Sequence, residues 1–280
     1  MAPNVLELTL LLWLGAVVAG IVGALTGLGG GIVIVPMLTL LFKVDMRYAI
    51  GAALISVIAT SSGAAASYVR EGYSNIRVGM FLEVATTAGA LSGAFVAGLI
   101  PTSTLAVVFG LFLLYSAAVT LRAQHETAEP VSPDPTATRL NMNSTYPVAH
   151  GHAAYYPQRV GLTWALMAVA GLLSGLLGIG SGALKVLAMD RIMRLPFKVS
   201  TTTSNFMIGV TAAASAGIYL SRGYIDPVLA MPVMLGVLVG AFTGSRLLVT
   251  ATPAVLRTLL GVVIIALAIE MIVHGVAAWI

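Results

Sequence analysis

Three groups of residues in this sequence carry chemistry in unusual settings. Lys185 stands in an apolar run, three residues beyond the glycine-rich stretch Gly178-Ile-Gly-Ser-Gly182. Thr203, Ser204 and Asn205 close the polar run "STTTSN", Ser200 to Asn205, at the head of a long apolar run. Glu83 and Glu270 lie inside apolar runs of their own, and Arg246 follows Gly244-Ser245 near the end of another. An ammonium beside hydroxyl and amide donors is an anion-binding set, because the ammonium supplies charge and the other donors direct hydrogen bonds at oxyanion oxygens. A carboxyl in an apolar run either carries a proton or pairs with a cation, here Lys185 or Arg246. Lys185 can equally sit in a structural ion pair with Asp190 or Glu270, and Arg246 is placed so that its side chain can snorkel to the surface.

The glycines set where these groups sit. Gly27, Gly29, Gly30 and Gly31 form one cluster, and Gly178, Gly180 and Gly182 with Ser181 form another. Each glycine costs about 1 kcal/mol against alanine inside a helix, so three or four together favour a break. Within lipid a break survives only where protein or a wet cavity covers its backbone groups. The helix that resumes after it begins with free N–H groups, which attract an anion. Two such breaks are the expected walls of a mid-membrane substrate site. Small residues outside the clusters, among them Gly20, Gly171, Gly89 and Gly240, are expected instead to let helices approach closely.

Composition supplies the setting. The chain has 280 residues, 59% hydrophobic and 9% charged, with mean hydropathy +1.00. A soluble domain would carry about 25% charged residues, so lipid is the expected solvent. Cysteine is absent, which removes thiol chemistry and cysteine–metal sites. The net charge of +4 forms no basic face broad enough for nucleic acid. The start "MAPNVLEL" lacks a basic n-region, and the first apolar run reads as a retained membrane segment.

Apolar runs occupy roughly 5–26, 30–42, 47–69, 76–100 and 102–121, then 160–177, 182–190, 198–221, 227–250 and 254–279. Eight are near the span length of about 20 residues; the second of each set is short, either a half-helix or a re-entrant segment. The interval 122–158 is rich in Pro, Ser, Thr and Asn and reads as an exposed, partly disordered loop. Its pair His150-Gly-His152 lacks a third metal ligand, so no metal or other cofactor is expected. This gives three regions: a first transmembrane repeat over 1–121, a polar loop over 122–158 and a second repeat over 159–280.

The halves repeat at one spacing. Gly178 follows Gly27 by 151 positions, and the same offset pairs Tyr68 with Tyr219, Gly72-Tyr73 with Gly223-Tyr224, Gly89 with Gly240 and Gly110 with Gly261. If each half holds an odd number of segments, Arg70, Arg77, Arg122, Arg139, Arg159, Arg191, Arg194, Lys198 and Arg257 share one side, against Lys43, Arg47 and Arg222. An even number divides the charges equally. Cytoplasmic loops favour Lys and Arg, so the expectation is two inverted halves, a cytosolic central loop and both termini outside.

The paired stretches "GLTGLGGGIVIVP" and "GLLSGLLGIGSGALKV", with "SYVREGYSNIR" and "IYLSRGYIDP" at matching places, resemble the sulfite exporter TauE/SafE family, also described as 4-toluene sulfonate uptake permeases. The resemblance covers nearly the whole chain outside 122–158. It implies a multispanning inner-membrane transporter of sulfur-containing anions such as sulfite, sulfonates or sulfoacetate, with the glycine clusters as site walls. Ser181 departs from the glycine-only cluster, and Leu187 stands where the first copy has Pro36.

The reading is an all-α integral membrane protein of two repeats, each of about five helical segments. Its expected function is secondary transport of a small sulfur-containing anion, with a proton as the candidate coupling ion through Glu83 or Glu270, acting as a monomer or homodimer in membrane lipid. The alternative is a cation or metal-ion transporter using Glu83, Asp190 and Glu270. An enzyme is not expected: His274 is the one histidine in a span, no nucleophile–base cluster is visible, and no P-loop is present.

Overall fold

A computed structural model describes residues 5–26, 30–70, 72–121, 134–148, 151–250 and 253–278. The order in the first half is α1 (Val5–Thr26), the short α2 (Gly31–Pro36), α3 (Met46–Arg70), α4 (Ile76–Ala97) and α5 (Thr102–Leu121). The second half repeats it with α7 (Val160–Leu177), the short α8 (Gly182–Leu187), α9 (Phe197–Ser221), α10 (Pro227–Thr250) and α11 (Pro253–Ala277). The chain is an all-α membrane protein. Helices α1, α4, α7 and α10 are long and apolar enough to cross a membrane. The sequence suggested eight such runs. Helices α3, α5 and α11 have shorter apolar stretches among their described residues, and α9 begins with its polar run.

The described part of the interval between the halves, 134–148 and 151–158, carries regular structure that its composition does not suggest. Asp134 caps a short helix, α6 (Pro135–Arg139), and strands β1 (Ser144–Val148) and β2 (Gly151–Tyr155) form an antiparallel hairpin. Ala137, Met142 and Tyr155 are buried with Val78, Leu82, Met189, Met193 and Val199. A few apolar anchors amid polar residues hold this cap, and polar composition alone conceals them. His152 is exposed, while His150 lies outside the described residues.

Lipid gives helices no hydrophobic reason to associate, so close packing must hold them. Helix α1 packs on α10 and α4 on α7, each across the boundary between halves. A Cβ on Gly20 would collide with the carbonyl of Val237, and one on Gly171 with that of Thr86. Gly240 meets the carbonyl of Val17 in the same way, and Gly89 that of Ala168. Each contact recurs 151 positions along with its partners exchanged. Side chains such as Leu14, Val18, Val84, Phe95, Val169 and Val239 point outward, forming the apolar exterior a bilayer requires.

Both short helices widen into π-helical turns, Met37–Leu41 and Ala188–Ile192. Pro36 lacks an N–H and suggests itself as the cause in the first half. Leu187 occupies its place in the second half and the turn is still present, so proline is not required. After each turn one residue adopts positive φ, Lys43 (56°) and Arg194 (55°), and the next N–H bonds back, Val44 to Leu38 O and Leu195 to Met189 O.

Candidate functional site

The second-half break is explicit in the backbone. Helix α7 ends at Gly178 (φ 69°), Gly180 follows at φ 72°, and Ser181 takes φ 46° before α8 begins at Gly182. Glycine adopts this left-handed region freely, whereas a serine held there is strained by about 1–3 kcal/mol. The Ser181 hydroxyl is buried and makes no hydrogen bond among the described residues. In the first half Gly30 and Gly31 open α2, while Gly27 and Gly29 lie outside the described residues. The two breaks touch: a Cβ on Gly31 would lie 3.0 Å from the Gly178 carbonyl oxygen and 3.2 Å from Ile179 Cα.

One turn into α8, Lys185 is fully buried at 0% exposure. Its Nζ donates to Thr211 Oγ1 at 2.6 Å, and Thr211 Oγ1 lies 2.6 Å from Glu83 Oε1, to which it donates. Lys185 Nζ is 3.9 Å from Glu83 Oε2. Thr86 donates to Glu83 Oε2 at 2.9 Å, and Thr87 to Oε1 at 3.2 Å. An ammonium from the second half is thus joined through a threonine to a carboxylate from the first. A buried pair of this kind persists only with such additional hydrogen bonds, because desolvating two charges opposes their attraction. Helix α8 has only six residues before its π turn, so its terminal dipole is a small addition to the full charge of Lys185.

The sequence candidates fall into distinct places. Ser204 reaches the break, donating to Gly182 O at 3.4 Å. Thr203 instead accepts from the Asn75 N–H at 3.0 Å, pinning the start of α4 to α9. Asn205 is half-buried. Asp190 is 3.6 Å from Arg191, and Glu270 lies on an exposed face of α11, so neither is the partner of Lys185. Glu83, Asp190 and Glu270 do not converge, and among the described residues no group of three or more acidic or histidine side chains is placed to hold a metal. The side chain of Arg246 lies outside the described residues.

Thr211, Thr86 and Thr87 escaped the sequence reading, although helical periodicity points to them. Thr86 and Thr87 follow Glu83 at the spacings that share a helix face. Thr211 and Ser215 extend the buried polar stripe that begins at Ser200 and Ser204 along α9. What periodicity cannot supply is that α8 lays Lys185 across both helices.

The corresponding place in the other half is uncharged. Ile34 stands 151 positions before Lys185, Thr60 before Thr211, and Met234 after Glu83. Thr60 bonds its own helix at Ser56 O, 3.0 Å, as Thr211 does at Met207 O, 3.0 Å. The repeat therefore preserves the hydroxyl and carries the charges once.

The chain is 28% identical over 267 residues to the "Probable membrane transporter protein YunE" of Bacillus subtilis, covering 92% of this chain and 95% of that one. It is 27% identical over 238 residues to YdhB of the same organism, also described as a probable membrane transporter, covering 85% and 87%. A Sinorhizobium protein with the same description, ORF9, is 24% identical over 271 residues, covering 96% and 95%. No solved structure gives a significant match. The model of the sulfite exporter TauE/SafE family matches residues 12–271. With a multi-pass architecture and a match spanning nearly its full length, the chain belongs to the sulfite exporter TauE/SafE family of membrane transporters.

Proposed function

We propose that the chain is a secondary transporter of a small sulfur-containing oxyanion, of the sulfite or sulfonate class, and that it binds this anion beside the second-half break. The observation that carries this reading is Lys185: a fully buried ammonium whose neighbours are Thr211 and Glu83, one turn beyond a strained serine whose hydroxyl has no partner among the described residues. Lys185 supplies charge, and Ser181, Ser204 and Thr211 supply hydroxyl donors close to it in the fold. Gly31 and Gly178 bring the two breaks together as walls of the site.

The proposal includes two halves of opposite orientation in the inner membrane, with the 122–158 region cytosolic and the termini outside. The placement of charge supports this. Arg47 donates to Ile100 O and lies over the Tyr224 ring, and Arg222 donates to Phe95 O, at the C-terminal end of α4. Lys198, the repeat counterpart of Arg47, lies over Tyr73 at the N-terminal end of that helix. A helix of 22 residues separates those ends by about 33 Å.

Transport of sulfite, thiosulfate, sulfoacetate, taurine and sulfate by the purified chain in proteoliposomes tests the reading. Lys185→Met is expected to reduce uptake of the transported anion by at least tenfold. Unaltered uptake by that variant removes Lys185 from the site, and failure of the unmodified chain to move any of the panel removes the substrate class.

A further inference from the structure

The transport reading leaves a problem of charge. Lys185 is already neutralised by Glu83, 3.9 Å away, with Thr211 hydrogen-bonded between them. The other charged groups on the elements around the pair make contacts of their own elsewhere. Helix α7 contains no acidic or basic residue. On α9, Lys198 lies over Tyr73 at one end, and near the other Tyr219 donates to the Gly175 or Leu176 carbonyl. On the π turn after α8, Asp190 and Arg191 face each other at 3.6 Å. On α4, Arg77 reaches Asn141 O. From the cap, the Tyr155 hydroxyl accepts from Asn75.

The pair therefore sums to zero, and an incoming monovalent anion makes the site −1. An uncompensated charge in a buried site is strongly disfavoured. A proton placed on Glu83 restores neutrality and frees Lys185 from its carboxylate. Thr211 can then direct its hydroxyl to Met207 O, already 3.0 Å away, in place of Glu83. Ser181, four residues before Lys185 and so near the same face of the short helix, adds to the anion's side a buried hydroxyl with no partner among the described residues.

Resting on the transport reading above, we propose that Glu83 is the coupling carboxyl and that the site carries one monovalent oxyanion together with one proton, without net charge movement. The proton bonds to a Glu83 carboxylate oxygen from water on the loading side and leaves to water on the other. No other bond changes. The selected substrates are monoanions, a sulfonate R–SO3⁻ or bisulfite. Sulfate and sulfite dianions need a second proton for which the pair has no acceptor. The uncharged counterpart at Ile34, Thr60 and Met234 implies one such site per chain.

The test uses the full chain in proteoliposomes containing a pH-sensitive dye, with methanesulfonate, bisulfite and sulfate as probes and an imposed membrane potential as a second variable. The expected result is one proton entering per monoanion, no dependence on membrane potential, and sulfate moved at least tenfold more slowly. Binding of the monoanion to the purified chain is expected to weaken as pH rises, by up to about tenfold per pH unit for one proton taken up. Glu83→Gln is expected to remove that pH dependence and the proton flux while still binding the monoanion, whereas Lys185→Gln loses binding. Monoanion uptake without protons, or uptake driven by membrane potential, overturns the coupling and leaves the transport reading standing. Failure of the unmodified chain to bind or move any probe overturns both. The proton count on the unmodified chain decides the matter even if Glu83→Gln does not fold.

Discussion

Gly171 of α7 rests against the backbone carbonyl of Thr86 in α4, and it is the Thr86 hydroxyl that donates to Glu83 Oε2 at 2.9 Å. Helix packing and the orientation of the buried carboxylate are therefore set at the same residue. Gly171→Ala forces α4 and α7 apart and is expected to lower stability by about 1–3 kcal/mol, as overpacking does. The corresponding Gly20→Ala, against Val237, is expected to destabilise similarly while leaving Glu83 in place. Transport per folded molecule should fall further for Gly171→Ala than for Gly20→Ala, measured by uptake normalised to monodisperse protein.

Thr211 stands between the two charges, and its hydroxyl is in hydrogen-bond reach of both. Thr211→Val keeps the shape and removes the hydroxyl, leaving buried polar atoms short of a partner at about 1–3 kcal/mol. Thr211→Ser restores the hydroxyl. Thermal unfolding in detergent and uptake in proteoliposomes should both place the serine variant near the unmodified chain and the valine variant well below it.

The uncharged counterpart suggests a sharper comparison. Breaking a buried ion pair by removing one partner typically costs about 3–5 kcal/mol, whereas replacing both with apolar residues is often neutral or stabilising. Glu83→Met with Lys185→Ile reproduces the residues at Met234 and Ile34. The double variant is expected to melt above either single one and to transport nothing. A double variant less stable than both singles counts against the pair as the source of that cost.

The cap between the halves should respond to acid. Burial pushes the Asp134 carboxyl upward, but hydrogen bonds from the Thr136 and Val160 N–H groups outweigh it and hold its pKa below the usual range. A lowered carboxyl stabilises the folded form above its ordinary pKa, and that contribution is lost as pH falls through the lowered value. Amide protection in 134–148 and 151–158, corrected for the intrinsic exchange rate, should therefore fall only as pH drops below the ordinary carboxyl range, and Asp134→Asn should remove most of that dependence. For Tyr155, burial raises the phenol, so its contribution persists into alkali and is lost as pH rises through the raised value.

Much of the architecture was legible because lipid leaves a simple signature. The ten apolar runs correspond to ten helical segments within a few residues, since long uninterrupted apolar stretches have few alternatives. The glycines named for close approach, Gly20, Gly171, Gly89 and Gly240, meet opposing backbone as anticipated. The cap was hidden because Ala137, Met142 and Tyr155 are scattered among polar residues. The site was legible only in part. Lys185 and Glu83 were conspicuous as charges in apolar runs, but their pairing spans 102 residues of sequence and depends on how α8 lies across α4 and α9. Thr203, expected from its polar run to face a ligand, has a partner the sequence does not show, the backbone N–H of Asn75.

The exchanged packing of α1 on α10 and α4 on α7 bears on how such a molecule moves. The seams in which a glycine meets an opposing carbonyl run between the first and second halves of the chain, so a hinge laid between those halves would have to open them. Bodies that moved intact would be mixed ones, each helix travelling with its packing partner from the other half. Interlacing, rather than chain order, would decide which helices move together.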